Sequence, residues 1–151
     1  MIFFKLNASN KRGSMKNIYL IITLLFASTI AMAQEKTHEK YYNVGHLSFI
    51  SSQIPINGEG VLVSTIIEEQ IQQTFKNLVE TAKEAGATIE NGKIKNVVKL
   101  NVYLNDIAAL AIVDQYMLHY LTGHLPARTP LGGMADGEYL VAMDAIVELP
   151  R

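Results

Sequence analysis

The segment between Thr65 and Gly86 limits the possible folds more than any other part of this chain. Apolar residues recur there at the spacing of one helix face, at Ile67, Ile71, Phe75, Leu78, Val79 and Ala82. Thr65 and Glu68 match a capping box, and Gly86 can take the left-handed conformation that ends a helix. The pattern therefore predicts an amphipathic helix over residues 65–85, which needs an apolar layer to pack against.

The layer predicted to cover this helix is a β-sheet, because the apolar period changes to two over residues 96–104. Further strands are predicted at 47–50, 61–63, 127–134 and 139–149. A second helix is predicted to begin at Asn105-Asp106 and to end at Gly123; its stripe consists of Ile107, Leu110, Ala111, Val113, Met117 and Leu121. With a further strand before the turn at 44–46, to which no bounds are assigned, the predicted order is β-β-β-α-β-α-β-β, an α+β sandwich of one sheet with two helices on one face.

The other face of the predicted sheet has no covering element. Two helices cover one face only, and we place Tyr103, Tyr139, Val141 and Met143 on the opposite one. Because an exposed apolar sheet face usually marks an interface, this arrangement predicts a homo-oligomer.

The amino-terminal residues 1–33 resemble a secretory signal peptide. They carry Lys5, Lys11, Arg12 and Lys16 and no acid, followed by an uncharged run that ends in the small residues Ala31 and Ala33. This run is short for a helix that spans a bilayer. We expect export to the periplasm or the medium, without a stable membrane anchor after cleavage, and a single domain over residues 34–151. If translation begins at Met15, residues 1–14 are not part of the protein. The alternative to a cleaved signal peptide is an uncleaved helix in or on the membrane.

The charge and the residue types of this domain exclude several function classes. Its bases number 13 − 4 = 9 against 14 acids, a net charge of −5, which disfavours binding to nucleic acid. The chain has no Cys, so it has no disulfide, no thiolate zinc site and no Cys nucleophile. His119 and His124 are five apart and do not share a helix face. We therefore expect no metal site.

Arg128 is the most informative single residue. Apart from Arg151 it is the only arginine of residues 34–151. Its planar guanidinium can grip a carboxylate through two hydrogen bonds, which lysine cannot do equally well. The alternative is an ordinary ion-pair arginine, and the residue types alone leave both readings open.

Four segments, in order, resemble those of the RidA/YjgF family of reactive intermediate deaminases. They are GHLSFISSQIP at 45–55, the pairs at 69–70, 77–78 and 85–86 in the first helix, VVKLNVYLND at 97–106, and P-A-R-T at 126–129. The resemblance spans residues 42–148.

The resemblance implies a fold, an assembly and an activity. Family members are homotrimers of chorismate-mutase-like fold with ligand clefts between subunits. They hydrolyse 2-imino (enamine) acids to 2-keto acids and ammonia without a cofactor. By matching motifs, Arg128 would hold the ligand carboxylate, and Ser51 and Thr129 would contact the reacting end.

Two departures from the family pattern bear on catalysis. Deaminating members carry a glutamate that helps to handle water, two residues before the acid aligned with Asp144; this chain has Ala142 there. The family cysteine two residues after the signature arginine is Pro130 here. We therefore expect either a weak 2-iminobutanoate/2-iminopropanoate deaminase or a non-catalytic protein that binds a small carboxylate.

Three further positions leave alternatives open. Asp114 stands where asparagine is common; its carboxylate would repel an anionic ligand or act as a substitute base. A family tyrosine aligns with His38, although Tyr41 or Tyr42 could reach the site instead. Ser52 replaces a family glycine.

Overall fold

The computed structural model describes residues 38–133 and 137–151. The predicted signal peptide and residue 134 of a predicted strand lie outside these ranges. Within them, the elements are β1 (Tyr41–Val44), β2 (Leu47–Gln53), α1 (Ile67–Glu84), β3 (Ile89–Glu90), β4 (Lys93–Lys95), β5 (Val97–Leu104), a 3₁₀ turn (Ile107–Ala109), α2 (Leu110–Tyr120), β6 (Leu121–Thr122), β7 (Ala127–Gly132) and β8 (Val141–Glu148). None of the helices in the described ranges is long and apolar enough to cross a membrane.

Helix α1 is the predicted amphipathic helix. Ile71, Phe75, Leu78 and Ala82 are completely buried, and Gly86 follows the helix with φ +95°. The capping-box prediction is wrong. Ile66, which has no polar side-chain atom, occupies the N-cap position, and its N–H donates instead to Ser64 Oγ at 3.0 Å.

The main sheet has five strands in the order β1-β2-β8-β5-β7. All neighbours are antiparallel except β5 and β7, which are parallel and joined through α2. A parallel connection needs such a crossover. This topology makes β7 an edge strand of the described sheet.

The minor sheet, β3-β4-β6, corrects the predicted element order. Leu121, predicted as part of the second helix, lies in β6 and pairs with Ile94 in β4. The predicted strand at 61–63 does not form; Leu62 makes one isolated bridge with Ile56. The order is therefore β-β-α-β-β-β-α-β-β-β, while the α+β class and the two helices on one sheet face agree with the prediction.

Helix α2 covers the part of the sheet near β5 less completely than its sequence suggested. Asp106 caps the preceding 3₁₀ turn as predicted, accepting the N–H of Ala108 at 2.9 Å. Val113 and Met117 are buried, whereas Ile107 is 49% exposed.

The faces of β8 are the reverse of those predicted. Val141 and Met143 are fully buried in the core, and Tyr139 precedes the strand. Ala142 and Asp144 lie on the opposite side, which we call the open face because neither helix covers it. A bulge between Val97 and Lys99 leaves Val98 47% exposed, although Leu100, Val102 and Leu104 are buried as predicted.

Candidate functional site

Arg128 and Asp114, two predicted site residues, meet in this fold. Arg128 lies beside Leu100 in the β5–β7 register and therefore shares the helix-facing side of the sheet. Asp114 lies on α2, which packs on that side, and its Oδ1 forms an ion pair with a terminal guanidinium nitrogen of Arg128. Arg128 therefore makes an ion pair within the chain through one terminal nitrogen, and its partner is Asp114, a residue whose role the sequence left open.

This ion pair lies in a concavity of about 400 Å³ between α2 and the beginning of β7. The remaining lining residues are mostly apolar: Met117, Leu118, Leu125 and Pro126. Leu118 and Leu125 are 57% and 62% exposed. The arrangement therefore combines two opposite charges with an apolar surface that is open to a ligand or to another chain.

Thr129 is directed away from Arg128. Successive strand residues point to opposite faces, so Thr129 lies on the open face beside Asn101. Its hydroxyl contacts the Lys99 ammonium, which donates to it. Within one chain, the side chains of Arg128 and Thr129 therefore lie on opposite faces of the sheet.

Ser51 is also separated from Arg128. It lies on β2, three strands from β7 in the sheet, which corresponds to about 14 Å at the usual strand spacing. Its hydroxyl donates to the Lys40 carbonyl at 2.7 Å. The neighbouring Gln53 donates to the Ser51 carbonyl and accepts from Thr81, so it has a structural role. Only two chains could bring Ser51 and Arg128 to one ligand.

The open face carries a hydrogen-bonded group that the sequence analysis did not identify. Asp144 accepts from Asn101 at 2.7 Å through Oδ1 and from the Tyr103 hydroxyl at 2.6 Å through Oδ2. This hydrogen bond raises the pKa of Tyr103 above 10.0, and burial and the Asp144 charge add to the rise. Tyr103 lies directly opposite Ala142. The signal was present in the alternation of β5, where the three polar residues Lys99, Asn101 and Tyr103 share a face.

The candidates at the beginning of the described chain differ in burial. Tyr41 packs against the core, whereas Tyr42 is 67% exposed and lies beside Phe49 on the open face. His38 is exposed. Of these three, Tyr42 is the one that its strand directs to the open face.

The described residues hold no group of three His, Asp or Glu side chains placed to bind a metal ion.

A protein-family comparison identifies the chain. Residues 29–148 match the model of the endoribonuclease L-PSP family, which is the RidA/YjgF family. The chain belongs to this family.

Curated family relatives agree with this assignment. A RutC family protein of Pyrococcus abyssi is 32% identical to this chain over 105 residues. These residues make up 68% of this chain and 79% of the Pyrococcus protein. The 2-iminobutanoate/2-iminopropanoate deaminase of Mus musculus is 32% identical over 109 residues, covering 72% of this chain and 77% of the deaminase.

A solved family structure has the same fold. The crystal structure of RidA from an Antarctic Psychrobacter aligns with a TM-score of 0.65 and 24% sequence identity. The alignment covers 78% of this chain and 92% of the RidA chain. The fold class predicted from the sequence is therefore confirmed.

Proposed function

We propose that this RidA-family protein is a cofactor-independent 2-imino acid deaminase of low activity, with Arg128 as the anchor for the substrate carboxylate. The observation that carries the proposal is the position of Arg128: a guanidinium on a sheet strand, inside a largely apolar concavity. Ligand sites usually combine an apolar wall with a few fixed polar groups. Membership of the family and the similarity to the mouse deaminase support the reaction class.

The proposed reaction adds water to the imine carbon. A carbon–oxygen bond forms, the carbon–nitrogen bond breaks, and ammonia leaves, so that a 2-keto acid remains. Arg128 pairs with Asp114 through one terminal nitrogen, and a guanidinium carries five N–H donors in all. The other donors of Arg128 would hold the substrate carboxylate.

The low rate follows from the residue at position 142. Its side chain is a methyl group, which neither accepts nor donates a proton. It lies on the open face, away from the Arg128 of its own chain, so in the proposed assembly this position would act on a ligand held by the Arg128 of another subunit. A positioned general acid or base typically contributes about a hundred- to ten-thousand-fold in rate. Loss of the family glutamate therefore leaves anchoring as the main catalytic contribution.

A non-catalytic protein that binds a small carboxylate is the second candidate. It is favoured because two of the side chains that would contact the reacting end of the ligand already make hydrogen bonds within the chain. The Ser51 hydroxyl donates to a backbone carbonyl, and Thr129 contacts Lys99.

RNA cleavage, which the family description names, is not proposed for this chain. Residues 34–151 carry 9 bases and 14 acids. Binding to a phosphate backbone depends on clustered cations, so this charge is unfavourable for it.

We further propose that the protein is an exported homotrimer. The open face supports assembly, because Tyr42 and Phe49 lie there with 67% and 44% of their surfaces exposed. Ser51 and Arg128 are three strands apart within one chain, so a ligand that contacts both requires such an assembly. Export rests on the residue pattern of positions 1–33 alone.

The decisive test of the reaction is an imine-hydrolysis assay. An amino-acid oxidase generates 2-iminobutanoate in situ, and semicarbazone formation reports the imine that remains. We expect the protein to accelerate the decay of the imine. Arg128→Ala should lower kcat/KM roughly 10- to 150-fold, because a hydrogen bond to a charged group contributes about 1.5–3 kcal/mol. Arg151→Ala, the same change at the chain terminus, is the control. No acceleration by the unaltered protein refutes the catalytic proposal.

Ala142→Glu tests the explanation of the low rate. If the missing acid limits turnover, this variant raises kcat by at least about tenfold, because even an imperfectly placed carboxylate recovers part of the roughly hundred- to ten-thousand-fold contribution of a general acid or base. Ala142→Gln has nearly the same size without the carboxylate and should not raise it. Equal rates for the two variants would show that the lost acid is not the cause.

Two measurements test assembly and export. Analytical ultracentrifugation should give three times the chain mass, and a monomeric mass contradicts the trimer. Amino-terminal sequencing of the mature protein should begin at Gln34; residues before it contradict cleavage after Ala33.

A further inference from the structure

We propose that Asp114 makes the Arg128 concavity selective for zwitterions, namely α-amino acids and the protonated form of 2-imino acids, over ligands that carry a carboxylate alone. The inference rests on the proposed function in one respect, the use of Arg128 as the carboxylate anchor. It adds a specificity-determining residue and a ligand class.

The two charges of the concavity are adjacent and both reach solvent. Asp114 Oδ1 contacts a terminal nitrogen of Arg128, and the side chains are 45% and 25% exposed, respectively. The other residues that line the concavity are uncharged. The concavity therefore presents a cation beside an anion, with no net charge, against an apolar wall.

This pair of charges penalises a ligand with one charge. A carboxylate that approaches Arg128 also approaches Asp114, whose negative charge repels it and already occupies part of the guanidinium. The repulsion is strengthened by the apolar surroundings, because they lower the local dielectric constant. A bare amine is disfavoured by Arg128 for the same reason.

A zwitterion matches both charges. In an α-amino acid or an iminium acid, the cationic nitrogen is bonded to the carbon that bears the carboxylate, so its two charges are also adjacent. With the carboxylate on Arg128, the nitrogen can lie on Asp114 and donate to it. Each charge is then paired, as charged groups in partly buried sites require.

This selectivity would separate the substrate of the proposed reaction from its product. A protonated 2-imino acid has both charges, whereas the 2-keto acid that remains after ammonia leaves has only the negative one. Asp114 would therefore hold the substrate by its nitrogen and weaken binding of the product. Free α-amino acids, which keep the nitrogen but lack the reactive double bond, would act as competitive ligands.

The test is a comparison of two ligands of equal skeleton by isothermal titration calorimetry. We expect 2-aminobutanoate to bind the purified protein at least tenfold more tightly than 2-oxobutanoate. Asp114→Asn, which removes the charge and keeps the shape, should reduce this preference tenfold or more, mainly by strengthening 2-oxobutanoate. Glu80→Gln, the same change at an exposed position of α1, should leave the preference unchanged.

The outcomes separate this inference from the proposed function. Equal or tighter binding of 2-oxobutanoate by the unaltered protein, or binding of neither ligand, overturns the inference, whatever the hydrolysis assay shows. A preference for 2-aminobutanoate without hydrolysis supports the inference and contradicts catalysis. If Asp114→Asn does not fold, as judged by circular dichroism, the comparison of the two ligands on the unaltered protein still decides.

Discussion

Gln70 offers a sharp test of how this fold is held together, because one buried side chain satisfies three backbone groups. Its Nε2 donates to the carbonyls of Ser64 at 2.7 Å and Glu138 at 3.0 Å, and its Oε1 accepts the N–H of Leu140 at 2.7 Å. The side chain thus joins the beginning of α1 to the residues that lead into β8. We expect Gln70→Met, which keeps the approximate volume, to destabilise the protein markedly.

The size of the effect follows from the groups left unpaired. Glu138 is exposed, so water can replace the amide there, but the groups of Ser64 and Leu140 lie in half-buried residues. Two fully buried unsatisfied groups would cost about 2–6 kcal/mol. Because these residues are only half-buried and the apolar methionine gains from burial, we expect a loss in the lower part of this range, about 2–4 kcal/mol. For a domain of about 100 residues, this lowers Tm by roughly 8–16 °C.

Urea denaturation and thermal melting followed by circular dichroism measure both quantities. Gln73→Met is the matched control, since Gln73 makes one hydrogen bond, to Asn77 at 2.8 Å, and its removal should cost less than about 1 kcal/mol. If the two variants differ by less than 1 kcal/mol, the three backbone contacts do not contribute as we have argued.

Three smaller predictions concern a helix end, a titration and a cap. Gly86→Ala should lower the free energy of unfolding by about 1–2 kcal/mol because Gly86 has φ +95°, whereas Gly58→Ala, without a positive φ, should change it little; equal losses would contradict this. The pKa of Tyr103, followed by NMR of ring-labelled tyrosine, should fall towards 10.0 in Asp144→Asn. Because the folded-state pKa is the higher one, the pair stabilises the protein below about pH 10, and this contribution is lost as pH rises through the folded-state pKa; an unchanged titration in the variant contradicts the bond. Asp106→Ala should cost about 1 kcal/mol and Asp106→Asn much less in urea denaturation, and identical losses would exclude a capping role.

The sequence predicted those elements whose local pattern is unambiguous. Helix α1 has a continuous apolar stripe, and its completely buried apolar residues Ile71, Phe75, Leu78 and Ala82 all belong to it. The burial of Leu100, Val102 and Leu104 follows from strict alternation along β5. In both elements, one face is apolar and the other polar, so the direction of each side chain is determined by local spacing.

The remaining features depend on partners distant in the sequence. In β8, Val141 and Met143 lie on the uniformly apolar face, and Asp144 lies on the other one. Which face Tyr103 shares depends on the register with β5, where Tyr103 lies opposite Ala142, and this register was not predicted. Leu121 continues a helical spacing, but pairing with Ile94 makes it a strand residue. Short strands of this kind are determined by their neighbours rather than by their own sequence.

The candidate site shows the same limit. Motif matching identified Arg128 and Asp114 separately, because each stands at a recognisable position. Their contact depends on how α2 packs beside β7, which no local spacing reports. The bonds of Asp144 with Asn101 and Tyr103 likewise depend on the register between β5 and β8.

The alternation along β7 gives this edge strand little tolerance for changes in length. Arg128 and Thr129 point to opposite sides of the sheet, one towards α2 and the other beside Lys99. Insertion or deletion of one residue just before them would exchange the two sides, placing the guanidinium among the open-face residues and the hydroxyl against Asp114. A change of two residues would keep each side chain on its own face but move it about 6–7 Å along β5. Changes in length can therefore preserve the arrangement only within the loop before Ala127, where added chain does not alter the register.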